Sequence, residues 1–409
     1  MTKYGRSPWI DQFPKSRVRS YPRYRGALQR DVVIVGGGLT GCATAYAFSA
    51  AGIKVTLLEA SRIGQGSSSG SAGWIADAPG PDFFALEKAI GRRAAKHAWQ
   101  AWRRAALDFA ALLRRLDVKC HLEPHGTITA ATTPEQATRI KREQKARRDA
   151  NVDTAALDAR VVLAESALVG FGGLRTKDGA TLDPYRACVG LADAAAQRGA
   201  QIFENSPVTK IGFNRKTADA ITAGGTIRAN AVVIATGVPT RLCASLVRHF
   251  WFRSSYFALT DPVPAKVRQR LGRRAAVIRD AADPAHLIRW VDDERLLVCG
   301  ADTETPDAKR RGPVVVQRTG QLMYELSTLY PDISGIQPSF GWDAAYASGG
   351  DGLPHIGPHR NFPHHLFAFG GGAHSVTSAY LASRILLRHF LEETEAADEP
   401  FGFARTTAR

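Results

Sequence analysis

Asp31-Val-Val-Ile-Val-Gly-Gly-Gly-Leu-Thr-Gly-Cys-Ala-Thr-Ala-Tyr-Ala-Phe-Ser-Ala-Ala-Gly-Ile-Lys-Val-Thr-Leu-Leu-Glu59 is the stretch on which the reading of this chain turns. Val32 to Val35 is an apolar, mostly β-branched run, too short for a helix and suited to a buried parallel strand. Gly36, Gly38 and Gly41 follow in G-x-G-x-x-G spacing. The alanine-rich segment from Cys42 to Ala51 predicts a helix that Gly52 ends. Ile53 to Leu58 predicts a second strand, closed by Glu59. Each part suits a dinucleotide. Gly36 permits the tight turn, Gly38 lets backbone approach a pyrophosphate, and Gly41 lets helix and strand pack closely. The helix N-terminus offers unpaired N–H groups to phosphates, and an acid at the end of the second strand can accept from ribose hydroxyls. Val32 to Ile53 carries no charge over a span long enough for a bilayer, but its glycine- and threonine-rich centre argues against a membrane span.

Composition narrows the rest. A chain of 409 residues holds two domains or one large composite. Cysteines stand at 42, 120, 188, 243 and 299, with neither a C-x-x-C pair nor zinc spacing, so a reducing cytoplasm is the expected location. The N-terminus lacks the apolar core of a signal peptide. The formal charge of +16 could serve a polyanion. Its lysines and arginines are scattered, however, and no nucleic-acid motif accompanies them, so nucleic acid is not an expected partner. His355 and His364-His365 complete no ligand set, and no metal is expected.

Outward from the opening stretch, residues 1–30 read as an extended arm or as disorder. Gly64-Gln-Gly-Ser-Ser-Ser-Gly-Ser-Ala-Gly73-Trp74 is a loop whose small residues can lie flat on a planar ligand; a flexible linker is the plainer reading. Residues 84–116 repeat apolar positions at helical period. Thr133 to Asn151 reads as a polar helix, and Val161-Val162 and Gly172-Gly173-Leu174 as strand pieces. A helix from Pro184 to Arg198 begins with Asp183 as cap. Gln201 to Glu204, Val208 and Ala231-Val-Val-Ile-Ala-Thr-Gly237 read as further strand. Strand-like runs at 256–260, 286–291 and 296–299 precede a helix at 315–329. Gly370-Gly-Gly-Ala-His374 then leads into a helix from Ser375 to Leu391.

Five blocks in order carry a resemblance: the Gly36 loop with Glu59, Gly64 to Gly73, Ala235-Thr-Gly237, Asp351-Gly-Leu-Pro-His-Ile-Gly357, and Gly370-Gly-Gly-Ala-His-Ser-Val-Thr377. From about Asp31 to Leu391 the chain resembles the D-amino acid oxidase-like flavoproteins, the group of glycine, sarcosine and γ-glutamylputrescine oxidases. The resemblance implies an α/β fold. A Rossmann-like FAD-binding domain with a parallel sheet (31–83, 179–243, 335–395) would carry an inserted substrate domain with a mostly antiparallel sheet (84–178, 244–334), beside an arm (1–30) and a tail (396–409). It implies non-covalent FAD. Gly36, Gly38, Leu39, Thr40 and Gly41 would lie at the pyrophosphate, and Glu59, Ala60 and Ser61 towards the adenosine ribose. Gly66, Ser67, Ser68, Gly73 and Trp74 would run beside pyrophosphate and ring. Val208 would be near adenine, and Ala235, Thr236 and Gly237 would close over the nucleotide. Leu353, Gly371, Gly372, His374, Ser375, Val376 and Thr377 would be near the ribityl chain and ring.

The implied reaction removes a hydride from the C–H beside an amine nitrogen, the flavin N5 accepts it, and the imine hydrolyses. Substrate would be a small amine or amino acid, and oxygen or another acceptor would take the electrons. Tyr256, Arg289, Tyr346 and His374 are the candidate pocket residues, with packing or structural ion pairing as their plainer roles. The chain departs from the family pattern in four places. Tyr346 stands where amino-acid oxidases hold a carboxylate-gripping arginine, and nearby Asp343 could meet a cationic amine or be structural. Ala345 stands where sarcosine oxidases attach flavin, Gly70 and Ser71 replace an attaching histidine of other relatives, and Val298 stands for a lysine that assists oxygen reduction. A flavin halogenase or hydroxylase would need further motifs that are not present. An FAD-binding subunit without amine oxidation of its own is the remaining alternative.

Overall fold

A computed structural model describes residues 1–282, 284–372 and 376–406. Two large sheets organise it. In the first, strands Gln201–Phe203, Val55–Leu58, Gly26–Val35, Gly225–Gly237 and Phe362–Phe369 run parallel. An antiparallel hairpin, Val208–Phe213 with Ala218–Thr222, and the strand His355–His359 complete this sheet. The run Val32 to Ile34 is fully buried, as a strand covered on both faces requires. Helices Leu39–Ala50, Pro184–Gln197 and Val376–Leu391 cover one face. Asp183 caps the second of these, its carboxylate accepting the Tyr185 and Arg186 N–H groups, with Pro184 in the first turn as the sequence predicts.

The second sheet has nine strands, in the order Lys3–Tyr4, Pro338–Ser348, Trp251–Thr260, Arg295–Glu304, Leu287–Val291, Ala276–Asp280, Gly126–Ala130, Gly173–Thr176, Ala155–Leu157. Its pairings are antiparallel except at the Lys3 edge and between Ala276–Asp280 and Gly126–Ala130. Helix Ala308–Leu329 lies on its outer face, over Tyr256, Ala258, Val298 and Leu296. The inner face carries Phe257, Trp342, Leu297 and Cys299 against Ala72, Trp74 and Ala76 of the small-residue loop.

Several expectations need correction. The arm ends at Arg25, because the first parallel strand begins at Gly26. Strand Pro338–Ser348 belongs to the nine-stranded sheet rather than to the nucleotide unit. The long helix of 84–116 is two, Phe83–Ile90 and Arg92–Arg115, broken at Gly91 with φ +82°. The second of these packs Trp102 and Phe109 into the core beneath the parallel sheet, so it is not part of the substrate layer. Val161-Val162 is helical, within Ala159–Ser166; Asp158 accepts the Val161 N–H, and that cap outweighs two β-branched residues. The helix expected from Val315 already starts at Ala308. Within the tail, Phe401 is buried in the main core.

Candidate flavin site

Along the carboxyl edge of the parallel sheet runs a cleft of about 610 Å³. Gly36, Gly38, Leu39, Thr40, Glu59, Ala60, Gly66, Ser67, Ser68, Val208, Ala235, Thr236 and Gly237, all expected from the sequence, line it. A second cavity of about 60 Å³ continues it past Tyr346, Gly371 and Gly372, and Thr40, Ser67 and Gly237 border both. The two form one trough from Val208 to Tyr346.

The glycines show why the trough is open. A Cβ on Gly36, where φ is +108°, would stand 2.7 Å from the Ala235 carbonyl oxygen. One on Gly41 would stand 1.8 Å from the Gly36 carbonyl oxygen, so this residue lies behind the turn and not on its surface. Ser68 Oγ accepts the Leu39 N–H at 2.8 Å. Helix geometry leaves the Thr40 and Gly41 N–H groups without intrahelical acceptors, and Thr40 lines the trough. Glu59 ties loop to strand: its two oxygens accept the Gly37 N–H at 2.6 Å and the Ser61 N–H at 2.7 Å. Ser61 therefore orients Glu59 and does not line the cleft. An acid held this way keeps lone pairs for ribose hydroxyls. Backbone at contact distance, helix N–H groups and a fixed carboxylate fit a dinucleotide.

Other expected residues lie elsewhere. A Cβ on Gly73 would stand 2.0 Å from the Leu182 carbonyl oxygen, and Trp74 is buried in the inner-face cluster; neither borders the trough. Leu353 and Val376 are buried in the core, and the Thr377 hydroxyl donates to the Ala76 carbonyl at 2.8 Å. His374 and Ser375 lie outside the described residues. Conversely, Pro207, Thr209, Thr240, Arg241 and Leu242 line the cleft without having been expected. Their signal was present: they flank the two segments, around Val208 and Gly237, already assigned to the nucleotide.

Of the pocket candidates, only Tyr346 among the described residues borders the trough. Its hydroxyl donates to Asp302 Oδ2 at 2.5 Å, and burial with that neighbouring carboxylate raises its pKa above the ordinary phenol value. Tyr256 faces the outer helix, its hydroxyl 3.1 Å from Thr303 Oγ1. Val298 faces the same way, so a lysine there would not reach the inner face. Asp343 also points outward, where Arg311 Nε lies 3.0 Å from both its oxygens; its role is structural. Arg289 shares the inner face with Leu287 and Val291 but is consumed there. It donates to the carbonyls of Ala72 at 2.6 Å and Leu182 at 3.2 Å and stacks 5.2 Å over Trp9. Burial pushes its pKa down to about 10. Arg289 therefore clamps the back of the small-residue loop.

On the far side of the trough, Arg405 from the tail donates to Asp351 and to the Leu353 and Pro354 carbonyls. It thereby fixes the turn that leads to cavity-lining Pro354 and Ile356. His355, which opens the strand after that turn, is held neutral, its pKa pushed down to about 3 by burial and then by the Arg405 charge. All five cysteines are unbridged.

Residues 31–388 match the DAO family, described as FAD dependent oxidoreductase. The γ-glutamylputrescine oxidoreductase of Escherichia coli is 25% identical over 373 residues, covering 90% of this chain and 85% of that protein. The glycine oxidase of Geobacillus kaustophilus is 27% identical over 391 residues, covering 92% and 97%. The crystal structure of a Geobacillus kaustophilus glycine oxidase superposes with a TM-score of 0.75 at 22% identity, over 92% of this chain and 98% of that one. L-amino acid deaminase from Proteus myxofaciens gives 0.76 at 16% identity, over 95% and 96%. The chain belongs to the DAO family of FAD-dependent oxidoreductases, and its fold is the one these flavoenzymes share.

Proposed function

Starting from that membership, we propose that the protein oxidises an amine or amino acid at the C–H beside nitrogen, giving an imine that hydrolyses. The observation that carries the reading is the pair of cavities that share Thr40, Ser67 and Gly237, with a dinucleotide cradle by Val208 at one end and Tyr346 of the nine-stranded sheet at the other. When bound, FAD supplies the hydride acceptor, its N5. The residues of the chain bind and orient. Thr40 and Gly41 N–H groups hold the pyrophosphate, Glu59 holds the ribose, and Gly371 and Gly372 admit the ring end without side-chain obstruction. The substrate C–H is positioned from the Tyr346 rim. A strong catalytic acid or base is not required, because the amine reacts in its neutral form and the chain need only place it.

Attachment is non-covalent: Ala345 lines the ring-end cavity, and Gly70 and Ser71 offer no attaching nitrogen. Oxygen or another acceptor reoxidises the flavin, in a reducing cytoplasm that five free thiols suit. The test is an anaerobic titration of FAD-loaded protein with amines and amino acids, followed at about 450 nm, where oxidised flavins absorb. Bleaching by one class identifies the substrate. Flavin that no amine reduces removes this reading in favour of a non-catalytic FAD-binding subunit. Acid precipitation settles attachment, since a yellow pellet contradicts the non-covalent assignment.

A further inference from the structure

Two thiols meet behind the nucleotide turn. Cys42 closes the first turn of helix Leu39–Ala50, and Cys188 stands in the second turn of helix Pro184–Gln197, packed beside it. Both residues are fully buried, and their sulfurs are 3.6 Å apart. Both also face one acceptor, the Gly37 carbonyl oxygen, at 3.5 Å from Cys42 Sγ and 3.6 Å from Cys188 Sγ. That oxygen already accepts the Gly64 N–H at 2.9 Å. A carbonyl has two lone pairs, so one remains for the two S–H donors, and the other thiol hydrogen is left with only a sulfur, a weak acceptor. Gly37 is central to the cradle. Its N–H is the donor that fixes Glu59 Oε2, and a Cβ on it would stand 2.5 Å from Ile63 Cδ1 and 2.9 Å from Glu59 Cβ. A shift of this peptide therefore carries Glu59 with it. A Cβ on Gly64 would stand 3.3 Å from Cys188 Sγ, and Gly64 lines the cleft itself.

We propose that Cys42 and Cys188 form a reversible disulfide, a modification site that lowers FAD affinity from behind the cradle. The oxidant is a small disulfide such as oxidised glutathione. One cysteine thiolate attacks its S–S bond and expels a glutathione thiolate. The second cysteine thiolate attacks the mixed disulfide, expels the other glutathione and closes the Cys42–Cys188 bond. The two thiol protons go to the two released thiolates, and two electrons pass from the pair to glutathione. Closure sets the sulfurs about 2.0 Å apart, so they draw together by roughly 1.5 Å. It also removes the S–H donor from Gly37, and that peptide can then turn and take Glu59 out of reach of the ribose. In the closed fold the pair is inert. Contact with the Cys188 thiol, and then burial, hold the Cys42 pKa well above the ordinary thiol value, and a neutral thiol is a poor nucleophile. Attack therefore needs the two helices to part, and FAD opposes that opening because it binds the closed cradle. The inference goes beyond the amine-oxidation reading and stands without it, since no substrate takes part.

The test equilibrates FAD-free and FAD-loaded protein in buffers of reduced and oxidised glutathione, traps free thiols by alkylation, and maps bridged peptides by mass spectrometry. FAD-free wild type should give one bridge, between Cys42 and Cys188. Once bridged it should bind FAD about tenfold more weakly, read by quenching of flavin fluorescence. Linkage requires the converse by the same factor. FAD-loaded protein should resist oxidation, with the midpoint potential of the pair raised by about 30 mV. Cys42→Ser and Cys188→Ser should each bind FAD equally in reducing and oxidising buffer. Absence of the bridge from FAD-free wild type at the most oxidising ratio overturns the proposal. So does a bridge that leaves FAD affinity unchanged, and so does a serine variant whose affinity still falls on oxidation. Should a serine variant fail to hold FAD, the wild-type bridge and its FAD affinity decide alone.

Discussion

At the Val208 end of the trough the walls are mostly backbone: glycines at contact distance, helix N–H groups and one carboxylate held by two main-chain donors. At the Tyr346 end they include side chains such as Thr40, Tyr346, Ile356 and Phe369, brought together from segments far apart in sequence. The first end depends on what is missing, since a Cβ on Gly36 or Gly41 would strike a backbone carbonyl oxygen of the turn or of the neighbouring strand. The second depends on what is present and on the register that aligns it. Damage should therefore differ in kind between them, with loss of cofactor at one end and loss of orientation at the other.

The largest effect is expected at the backbone end. Gly41→Ala puts a methyl group 1.8 Å from the Gly36 carbonyl oxygen. Both the helix and the turn must move, at a cost above about 3 kcal/mol. Expressed protein should be colourless and should melt well below wild type. A yellow Gly41→Ala protein with wild-type Tm would contradict the account of the cradle.

Next comes the clamp behind the small-residue loop. Arg289→Ala leaves the Ala72 and Leu182 carbonyls without their donor and opens a cavity under Trp9, worth about 3 kcal/mol together. Denaturant unfolding measures it. If Arg289 served substrate instead, stability would hold and only turnover would fall.

A pH effect should separate the two sheets. His286 sits between Asp280 Oδ2 at 2.6 Å and Glu325 Oε2 at 2.9 Å, joining a hairpin of the nine-stranded sheet to its outer helix. Its hydrogen bond to Asp280 leads the causes that raise its pKa from 6.5 to about 9. A raised pKa means that the charged form is favoured in the fold. The stabilisation is whole below pH 6.5 and drains away as pH climbs to about 9. It amounts to about 2 kcal/mol after allowance for partial exposure. His286→Gln should flatten that slope in unfolding curves. An equally steep slope in the variant would assign the effect to another group.

The smallest change tests the support from the arm. Trp9→Phe loses the hydrogen bond from Nε1 to the Ser71 carbonyl at 3.0 Å and should cost about 1 kcal/mol. It should leave the flavin content alone. Loss of FAD on this substitution would mean that the loop's back, and not its front, governs binding.

This division also sets what could be read from residues alone. The cradle was legible because Gly36, Gly38, Gly41 and Glu59 lie within one short segment whose spacing carries the geometry. Thr40, Ser67, Val208 and Gly237 followed from it. The rim was not. Whether Tyr256 or Phe257 faces inward depends on the phase of the strand, and two neighbouring aromatics give no phase. Arg289 was placed on the correct face, but its acceptors are main-chain carbonyls of residues 72 and 182, which leave no mark in sequence. Asp302 escaped because it follows Ala301, whose φ of +52° breaks strand alternation. Val161-Val162 misled because a local β preference was weighed without its cap.

The pairing of Lys3 with Phe340 has a consequence for synthesis. On a ribosome the arm emerges before the strand that forms its berth, which follows on the order of tens of seconds later. Throughout that interval Trp9 and Phe13 have no finished surface to settle on. The opening residues are born early and seated late, and a chaperone that engages nascent apolar segments would find them waiting.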